Sequence, residues 1–411
     1  MLIIYSALSL GGIETFFVRF AKQRFLEGKK TKFILYAPLN YVGYNMELIQ
    51  QLHKYAEVYH FDDIFLKSKI HWRFYLLHKL NLSKLYAIAS DCSIIHVADA
   101  FSGLLASKIL SELKLSKPIT FGIYHAKEFT WGDGGLPYFE RVNRNFVFNV
   151  NSSKNLLCYS NVTKENVEKK IGRKLNNAKN FRLGVIEKSY QKGKKFSSNS
   201  SIRICSVGRL APFKTYNFWM PEVVRELRDK GVNVILDIFG SGECEENIKN
   251  IVSNYSDCIT LKPAFDYSEF SKIVSSYDLF VGSGTAIVEA ASLGVPSVIG
   301  IESIEKPLTY GFFCDFSDYE YHALGLPFKL KSVADIIYEF YLLDIKSKNM
   351  LSERHKKQSE KFLISECVKN FEIMQVSNTP EFNFNKFLYT FSYIFFHKKN
   401  SILRKSIYHD Y

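Results

Sequence analysis

The sequence has no run of about 20 consecutive apolar residues, the length that a helix needs to cross a bilayer. Its 7 cysteines are scattered and include no Cys-x-x-Cys pair, which argues against a disulfide framework and against a structural zinc site. The first residues lack the basic region and cleavage-site pattern of a secretory signal, and they are expected to form a strand. Together these absences favour a reduced, cytoplasmic protein.

Several motifs of catalytic and nucleotide-binding proteins are missing as well. No Gly-x-Ser-x-Gly segment is present, which argues against a serine hydrolase built on a nucleophile elbow. Neither Gly240-Ser-Gly242 nor Gly282-Ser-Gly284 continues into Gly-x-Gly-x-x-Gly, so a nicotinamide-binding site has weak support. A Walker A loop is also excluded, because a phenylalanine stands where glycine should precede Lys214.

The sequence does contain a large supply of apolar surface to bury. Of its 411 residues 47% are hydrophobic, and the 35 Phe and 25 Tyr are too many for a disordered chain. The length exceeds one ordinary core, so two domains are expected. A formal net charge of +13 favours an anionic partner, which could be nucleic acid, an anionic membrane face or a phosphorylated small molecule. Because no signature of a nucleic-acid reader is present, we expect no nucleic-acid partner.

Short apolar runs alternate with helical patterns along most of the chain. A strand, a glycine turn at Gly11-Gly12, a helix and a second strand open it, and a similar unit begins at residue 202. Further predicted strands are the runs SIIHVA, ITFGIY, FVFNV, CITLK, DLFVG and PSVIG. This alternation predicts an α/β fold with parallel sheets that are covered by helices on both faces.

Composition predicts where the domains meet. Residues 187–201 are polar, rich in Ser and Lys and without periodicity, which is typical of a linker. We therefore predict two doubly wound, Rossmann-like domains, 1–186 and 202–375, that face each other across a cleft. The last helix of the second domain can pack back on the first. Residues 376–411 differ from the rest and are expected to form a basic-aromatic helical appendage.

Arg209 and Lys214 lie in a loop that follows the predicted strand from residue 202. Ligands of open α/β sheets bind at loops of this kind, at the carboxyl ends of the strands. Two cations there suit a diphosphate, because Arg can bind two oxygens at once and Lys acts as a point charge. The alternative is a surface loop with two solvated cations.

A second segment favours the diphosphate interpretation. Gly282 and Gly284 follow another predicted strand and open a helix, whose free N–H groups and partial positive charge attract phosphate. Glu289 falls on an otherwise apolar stretch of that helix, where a buried carboxylate is costly unless it is hydrogen-bonded. Sugar hydroxyls would satisfy it, whereas a structural role, capping a neighbouring loop, is the alternative.

The order GRLAPFK, DIFGSGE and DLFVGSGTAIVEAASLGVPS resembles the carboxyl-terminal domain of GT-B glycosyltransferases, in particular the retaining enzymes of family four. The first half is similar too, in GGIETFFVRFAKQ, in IIHVADAFSGLLAS, in the strand that ends at His125 and in FRLGV. The resemblance covers roughly residues 1–375 and is more specific in the second half.

The resemblance implies roles for individual residues. Arg209 and Lys214 would act in catalysis by holding the nucleotide diphosphate, and His125 by contacting the donor sugar or the reacting centre. Glu289 would bind the ribose hydroxyls. The full set of implied donor-binding residues is Gly12, Gly208, Gly240, Gly282, Ser283, Gly284, Thr285 and Glu289. The turn that contains Gly11 would lie where the acceptor-side domain faces the donor. Glu128, Trp131 and Asp133 follow His125 in a glycine-rich loop that suits acceptor recognition.

One position departs from the family pattern. A glutamate that contacts the donor sugar usually stands seven intervening residues before the one at Glu289, and here that position is Val281. Since valine cannot accept a hydrogen bond, the sugar is held differently, donor choice is altered, or transfer is lost; the cationic pair favours an active enzyme. The chain has no Asp-x-Asp pair, which agrees with transfer that needs no metal and no other cofactor.

The resemblance thus implies a glycosyltransferase of the hexosyl or N-acetylhexosaminyl type. It would move a sugar from a nucleotide diphosphate sugar, most often a UDP-sugar in this family, to a saccharide or lipid-linked saccharide. Retention of configuration and a place in capsule or O-antigen assembly are implied in the same way. Two alternatives stay open: a nucleotide-sugar epimerase of the same fold, and a non-catalytic scaffold that binds sugar nucleotides.

Two basic-aromatic segments indicate a membrane partner. Residues 67–79 are predicted to form a helix, and the tail mixes aromatic residues with Lys and Arg. Segments of this kind can lie in a membrane interface and bind anionic lipid. We therefore predict peripheral attachment to the inner face of the cytoplasmic membrane through 67–86 and 381–411. The alternative is that the aromatic residues of the tail pack back on the first domain.

Overall fold

The protein is described by a computed structural model that covers residues 1–9, 11–124, 128–132, 135–187, 194–196, 201–316 and 320–402. It divides into two compact units, of which the first is Met1–Leu183 with Cys367–Tyr411 and the second is Gly184–Glu366. Most of the predicted linker, 187–201, lies outside the described residues. The predicted domain boundaries therefore stay predictions.

Within the described residues, the first unit is built on a seven-stranded sheet. Its strands are β1 (Leu2–Tyr5), β2 (Lys32–Leu35), β3 (Glu57–His60), β4 (Ile95–Val97), β5 (Ile119–Ile123), β6 (Leu156–Cys158) and β7 (Lys179–Asn180). Their order is 3-2-1-4-5-6-7, and all neighbouring strands are parallel. Leu2 pairs with Lys32 on one side and with Ile95 on the other. The interior strand β1 is almost wholly apolar and buried, as expected where helices cover both faces of a parallel sheet.

Seven α-helices accompany this sheet in the described residues. They are α1 (Gly12–Leu26), α2 (Met46–His53), α3 (Phe61–Ile64), α4 (Leu82–Ala89), α5 (Ala100–Leu113), α6 (Tyr138–Arg144) and α7 (Asn161–Ile171). Four of them, α2, α4, α5 and α7, begin at a side chain that caps them. At the start of α5, Asp99 accepts a hydrogen bond from the Ser102 N–H at 2.7 Å, and at α7 Ser160 accepts one from the Thr163 N–H at 3.0 Å. Such bonds satisfy N–H groups that a helix start leaves without partners.

The second unit repeats the same plan with a five-stranded parallel sheet in its described part. Its strands are β8 (Ile202–Val207), β9 (Val234–Phe239), β10 (Ile259–Lys262), β11 (Leu279–Gly282) and β12 (Ser297–Ile299), in the order 10-9-8-11-12. A short antiparallel pair, β13 (Leu308–Thr309) and β14 (Lys331–Ser332), lies outside that sheet. The accompanying helices are α8 (Tyr216–Asp229), α9 (Glu245–Ser253), α10 (Phe270–Val274), α11 (Gly284–Ser292), α12 (Val333–Leu342) and α13 (Ile345–Ser359).

Two helices close the described chain, α14 (Ile364–Glu372) and α15 (Lys386–Ile402). The end of α14 belongs to the first unit, where Glu372 accepts a hydrogen bond from the Arg24 guanidinium at 3.0 Å. Helix α15 packs against α6, and Tyr389 donates a hydrogen bond to Asn143 at 2.8 Å. The predicted fold class is confirmed: two Rossmann-like domains with parallel sheets, followed by a helical carboxyl-terminal segment. No helix in the described ranges is both long and apolar enough to cross a membrane.

Two local predictions were wrong. The run 146–150, predicted as a strand, continues α6 as a π-helix, Asn145–Val150. A short apolar run is compatible with either a buried strand or a buried helix, and here Phe146 packs edge-on against Phe121 at 5.7 Å. Of residues 67–79, predicted as one helix, only Trp72–Leu77 are helical, in the 3₁₀ form, with non-helical backbone angles at Phe74.

A buried histidine connects α13 to the start of β12. His355 accepts a hydrogen bond from the Ser297 N–H at 2.9 Å through Nε2, and Nδ1 donates to the Leu351 carbonyl at 2.9 Å. Burial lowers the pKa of His355 to about 4. In the unfolded chain the ordinary value is about 6.5. Between these two values the unfolded chain binds a proton that the folded chain does not, so stability falls as the pH falls.

We expect the free energy of unfolding of the second unit to decrease by about 3 kcal/mol through His355 as the pH falls from 7 to 4. In the His355→Gln variant, the free energy of unfolding should lack this decrease of about 3 kcal/mol between pH 7 and pH 4. Urea unfolding can be followed through Trp219, the only tryptophan of that unit, after Trp72→Phe and Trp131→Phe. Equal pH dependence in the two proteins would contradict the prediction.

Candidate functional site

The loop after β8 meets the loop after β9 at the carboxyl edge of the five-stranded sheet. The Leu210 N–H donates a hydrogen bond to the Ser241 carbonyl at 2.9 Å. A Cβ atom on Gly240 would overlap the carbonyl oxygen of Gly208. Glycine at position 240 therefore permits a direct contact between two backbones, and this contact supports the loop that carries the two predicted cations.

The two cations have different surroundings. The Lys214 ammonium lies over the glycine turn at Gly208. A Cβ atom placed on Gly208 would be only 2.7 Å from the Nζ atom of Lys214. The Arg209 side chain is 70% exposed, and its Nη2 atom lies 3.8 Å from Oε1 of the exposed Glu243. An exposed ion pair at that distance contributes little, so the guanidinium is able to exchange it for a ligand. Both residues belong to the loop at the carboxyl end of β8.

Helix α11 begins at the same edge of the sheet. Its strand, β11, is the parallel neighbour of β8, so the carboxyl ends of the two strands lie side by side. Ser283 precedes the helix, and Gly284 has a φ angle of 62°, which glycine adopts without strain. The first N–H groups of a helix have no partners within it, which makes this nine-residue helix able to bind an anion at its start. Thr285 lies in that first turn and is half-buried.

The predicted ribose-binding glutamate lies farther along this helix. Glu289 is in the second turn of α11 and is buried. Val281 is fully buried within β11, so no polar side chain enters the site from that position.

A carboxylate that the sequence interpretation missed lies at the start of α11. Glu302, three residues beyond β12, accepts a hydrogen bond from the Ser283 hydroxyl at 2.6 Å. Its backbone N–H donates to the His322 carbonyl at 2.9 Å, and its Oε2 atom is 3.9 Å from Nε2 of the same histidine. The side chain is partly exposed. Its sequence position just after an apolar run, PSVIG, was the available signal.

In the first unit, Gly11 and Gly12 form the turn that begins α1. The neighbouring Glu14 is buried and accepts hydrogen bonds from the Ser9 hydroxyl at 2.8 Å and the Tyr5 hydroxyl at 3.3 Å. Burial, reinforced by Glu14, raises the pKa of Tyr5. The tyrosine therefore keeps its proton and remains a hydrogen-bond donor at the carboxyl end of β1.

Two residues predicted after β5, His125 and Asp133, lie outside the described residues. Between them, Glu128 is half-buried and accepts a hydrogen bond from the Tyr124 N–H at 3.2 Å. The Glu128 carboxylate is thus held at the carboxyl end of β5.

Trp131, predicted to recognise the acceptor, contacts the last helix. Its ring stacks on Phe396 of α15, with ring centroids 5.7 Å apart. The guanidinium carbon of Arg144 lies 5.5 Å from the centroid of the Trp131 ring. The indole is half-buried and therefore connects α6 with α15.

His96, at the centre of β4, has a structural environment. Its Nδ1 atom is 2.9 Å from the Thr120 hydroxyl, and its Nε2 atom is 2.7 Å from the Tyr124 hydroxyl. Burial lowers the pKa of His96 to about 3, so the ring is neutral at physiological pH. Both ring nitrogens are occupied by protein hydroxyls.

Comparison with known proteins gives limited sequence similarity. No protein-family model matches the chain. A protein of Haemophilus influenzae named as an uncharacterized glycosyltransferase is 26% identical over 180 residues, which are 41% of this chain and 47% of that protein. The match thus spans about half the length of this curated relative.

Similarity to solved structures extends over most of the chain. Anabaena HepE in complex with UDP and glucose has a TM-score of 0.58 and 13% identity, covering 90% of this chain and 97% of that one. The lipopolysaccharide outer core galactosyltransferase WaaB in its apo form has a TM-score of 0.54 and 12% identity, covering 90% and 98%. At such identities the similarity shows the fold alone. The chain therefore has the GT-B fold, with two Rossmann-like domains.

Proposed function

We propose that this protein is a glycosyltransferase that moves a hexosyl or N-acetylhexosaminyl group from a nucleotide diphosphate sugar to a saccharide acceptor. The observation that carries the proposal is the position of the Lys214 ammonium over Gly208, at the sheet edge where α11 begins. A cation and a helix start at one edge provide a site for a diphosphate. The Haemophilus influenzae protein named as a glycosyltransferase, which is 26% identical over part of the chain, supports the proposed transfer reaction. The structure of HepE in complex with UDP and glucose supports it too and favours UDP as the nucleotide.

The charges of the site suit the chemistry of the transfer. As the bond between the anomeric carbon and the diphosphate breaks, positive charge grows on the sugar ring and negative charge on the leaving group. Arg209, Lys214 and the N–H groups at the start of α11 offset the negative charge, an effect often worth several kcal/mol. In a retaining reaction the acceptor oxygen attacks the same face of the sugar and its proton passes to the departing diphosphate. Neither a metal nor another cofactor is needed for these steps.

Glu302 takes part in holding the donor sugar. It lies beside the start of α11, where its carboxylate already accepts a hydrogen bond from the Ser283 hydroxyl at 2.6 Å. A partly exposed carboxylate can accept two or more hydrogen bonds, so sugar hydroxyls can join the serine. Since Val281 offers no acceptor, Glu302 supplies this function from the loop after β12.

The acceptor is a saccharide or lipid-linked saccharide of a surface polysaccharide, such as capsule or O-antigen. The lipopolysaccharide galactosyltransferase WaaB, which has the same fold, supports this class. A lipid-linked acceptor would place the enzyme in the cytoplasm, at the inner face of the membrane.

The proposal predicts that one nucleotide sugar in a panel of UDP-, GDP-, ADP- and TDP-sugars releases its nucleotide when a saccharide or lipid-linked acceptor is added. Nucleotide release is measured by coupled assay, and the sugar product by mass spectrometry. An epimerase would change the sugar without releasing nucleotide, and a scaffold would bind a nucleotide without turnover. Either result would overturn the transfer reaction.

Replacing either cation should slow the transfer by on the order of a hundredfold in kcat/KM, because the leaving charge loses a partner. Arg209→Ala is compared with Arg225→Ala, whose side chain is 69% exposed against 70% for Arg209. Lys214→Ala is compared with Lys249→Ala in α9. The controls should stay within twofold of the wild type. Full turnover in Lys214→Ala would remove the basis of the site.

The Glu302→Gln variant should lower kcat/KM for the donor by about tenfold or more, because a charged acceptor to the sugar hydroxyls becomes neutral. Its affinity for free UDP, measured by calorimetry, should change less than twofold, since UDP lacks the transferred sugar that Glu302 is proposed to hold. The matched control is Glu305→Gln in the same loop, which is exposed. If UDP affinity fell as much as kcat/KM, Glu302 would be a structural support of α11 instead.

A further inference from the structure

Helix α15 presents an unusually apolar surface to solvent. Phe387, Phe391 and Phe395 are 77%, 67% and 61% exposed, and Leu388 is 47% exposed. At 100° per residue these positions fall within an arc of about 100° on one side of the helix. We call this arc the aromatic face of α15. Three large, exposed phenylalanines on successive turns are unfavourable in water and mark an interaction surface.

The opposite side of α15 holds the helix firmly on the first unit. Tyr389 is buried and bonded to Asn143, and the Tyr393 ring packs against Phe101 with centroids 5.6 Å apart. Phe396 stacks on Trp131. The aromatic face is therefore presented by an anchored helix, and binding a partner through it costs little conformational entropy.

Charge identifies the chemistry of the partner. No Asp or Glu occurs in α15, Lys386–Ile402, and the exposed Lys398 and Lys399 continue the aromatic face toward the carboxyl end of the helix. Aromatic rings beside lysines, with no acidic residue, are typical of a surface that enters the headgroup region of an anionic bilayer.

The second basic-aromatic segment lies next to this helix. Residues Trp72–Leu77 contact α15, and the positive charge of Arg73 acts on His397 of α15. Just before Trp72, the side chains of Leu66 and Ile70 are exposed, and the intervening Lys67 and Lys69 are exposed cations. Segments that are about 300 residues apart in the sequence thus join in one basic, apolar region.

We propose that the aromatic face of α15, with the neighbouring 66–73 segment, is a membrane-binding surface that recognises anionic lipid. A second copy of the chain fits this surface poorly, because neither α15 nor residues 66–73 contain an acidic residue to pair with Lys398 and Lys399 of another copy. Anionic headgroups neutralise the lysines, and the acyl boundary takes up the phenylalanines. The inference concerns binding alone and does not depend on the proposed transfer reaction.

The test uses the full chain and vesicles without any donor. Wild-type protein should sediment with phosphatidylglycerol vesicles at least tenfold more strongly than with phosphatidylcholine vesicles, and 0.5 M salt should weaken the binding. The triple variant Phe387→Ser, Phe391→Ser, Phe395→Ser should lose at least tenfold in affinity. Lys398→Gln with Lys399→Gln should lose about 25-fold, at about fivefold for each lysine.

The matched control is Leu26→Ser, Leu342→Ser, Met350→Ser, whose side chains are 68%, 64% and 59% exposed but lie on other helices. It should bind vesicles like the wild type. Circular dichroism checks that every variant is folded; the lysine pair provides a second variant if the triple one is not. Absence of wild-type binding, equal binding to both lipids or unchanged binding of the variants would overturn the proposal. So would a concentration-dependent dimer, lost in the triple variant, in analytical ultracentrifugation.

Discussion

The candidate donor site depends on a contact between two backbones. Gly240 lies so close to the carbonyl oxygen of Gly208 that a side chain there would overlap it. Because the loops after β8 and β9 pack together in this way, the turn at Gly208 is held in place and the Lys214 ammonium lies over it. The parallel pairing of β8 with β11 then brings the start of α11 to the same edge. A lysine and a helix start, each a weak anion site alone, form a candidate site for a diphosphate because the sheet places them together.

The polar groups discussed in the two units differ in how strongly they are bonded to other protein groups. In the first unit, several buried polar groups bond one another: His96 contacts the hydroxyls of Thr120 and Tyr124, and Glu14 accepts hydrogen bonds from Tyr5 and Ser9. In the second unit, the ion pair that Arg209 makes within the described residues is a long and exposed one, to Glu243. Satisfied, buried polar groups specify the fold, whereas exposed charges with weak partners are available to a ligand. This difference supports placing the donor diphosphate on the second unit.

Helix α15 has features that agree with both interpretations of the tail aromatic residues. The sequence left open whether the tail aromatic residues enter a membrane or pack on the first domain. In the structure one side of α15 buries Tyr389, while the other side exposes Phe387, Phe391 and Phe395. An α-helix separates neighbouring residues by about 100°, so an aromatic segment can anchor itself with one side and present the other. Deleting the tail would therefore disturb the first unit as well as any membrane contact.

The sequence by itself determined the alternation of strands and helices, and with it the two parallel sheets, because hydrophobic period and glycine turns are local signals. It also identified Arg209 and Lys214 as loop residues that follow a strand. It could not decide the secondary structure of residues 146–150, since a short buried apolar run fits a strand or a helix equally well. Nor could it find Glu302, whose partner Ser283 is 19 residues away and reached only through the pairing of β11 with β12. Only the tertiary structure decided which side chains meet at the sheet edge, because strand order is set by packing between distant segments.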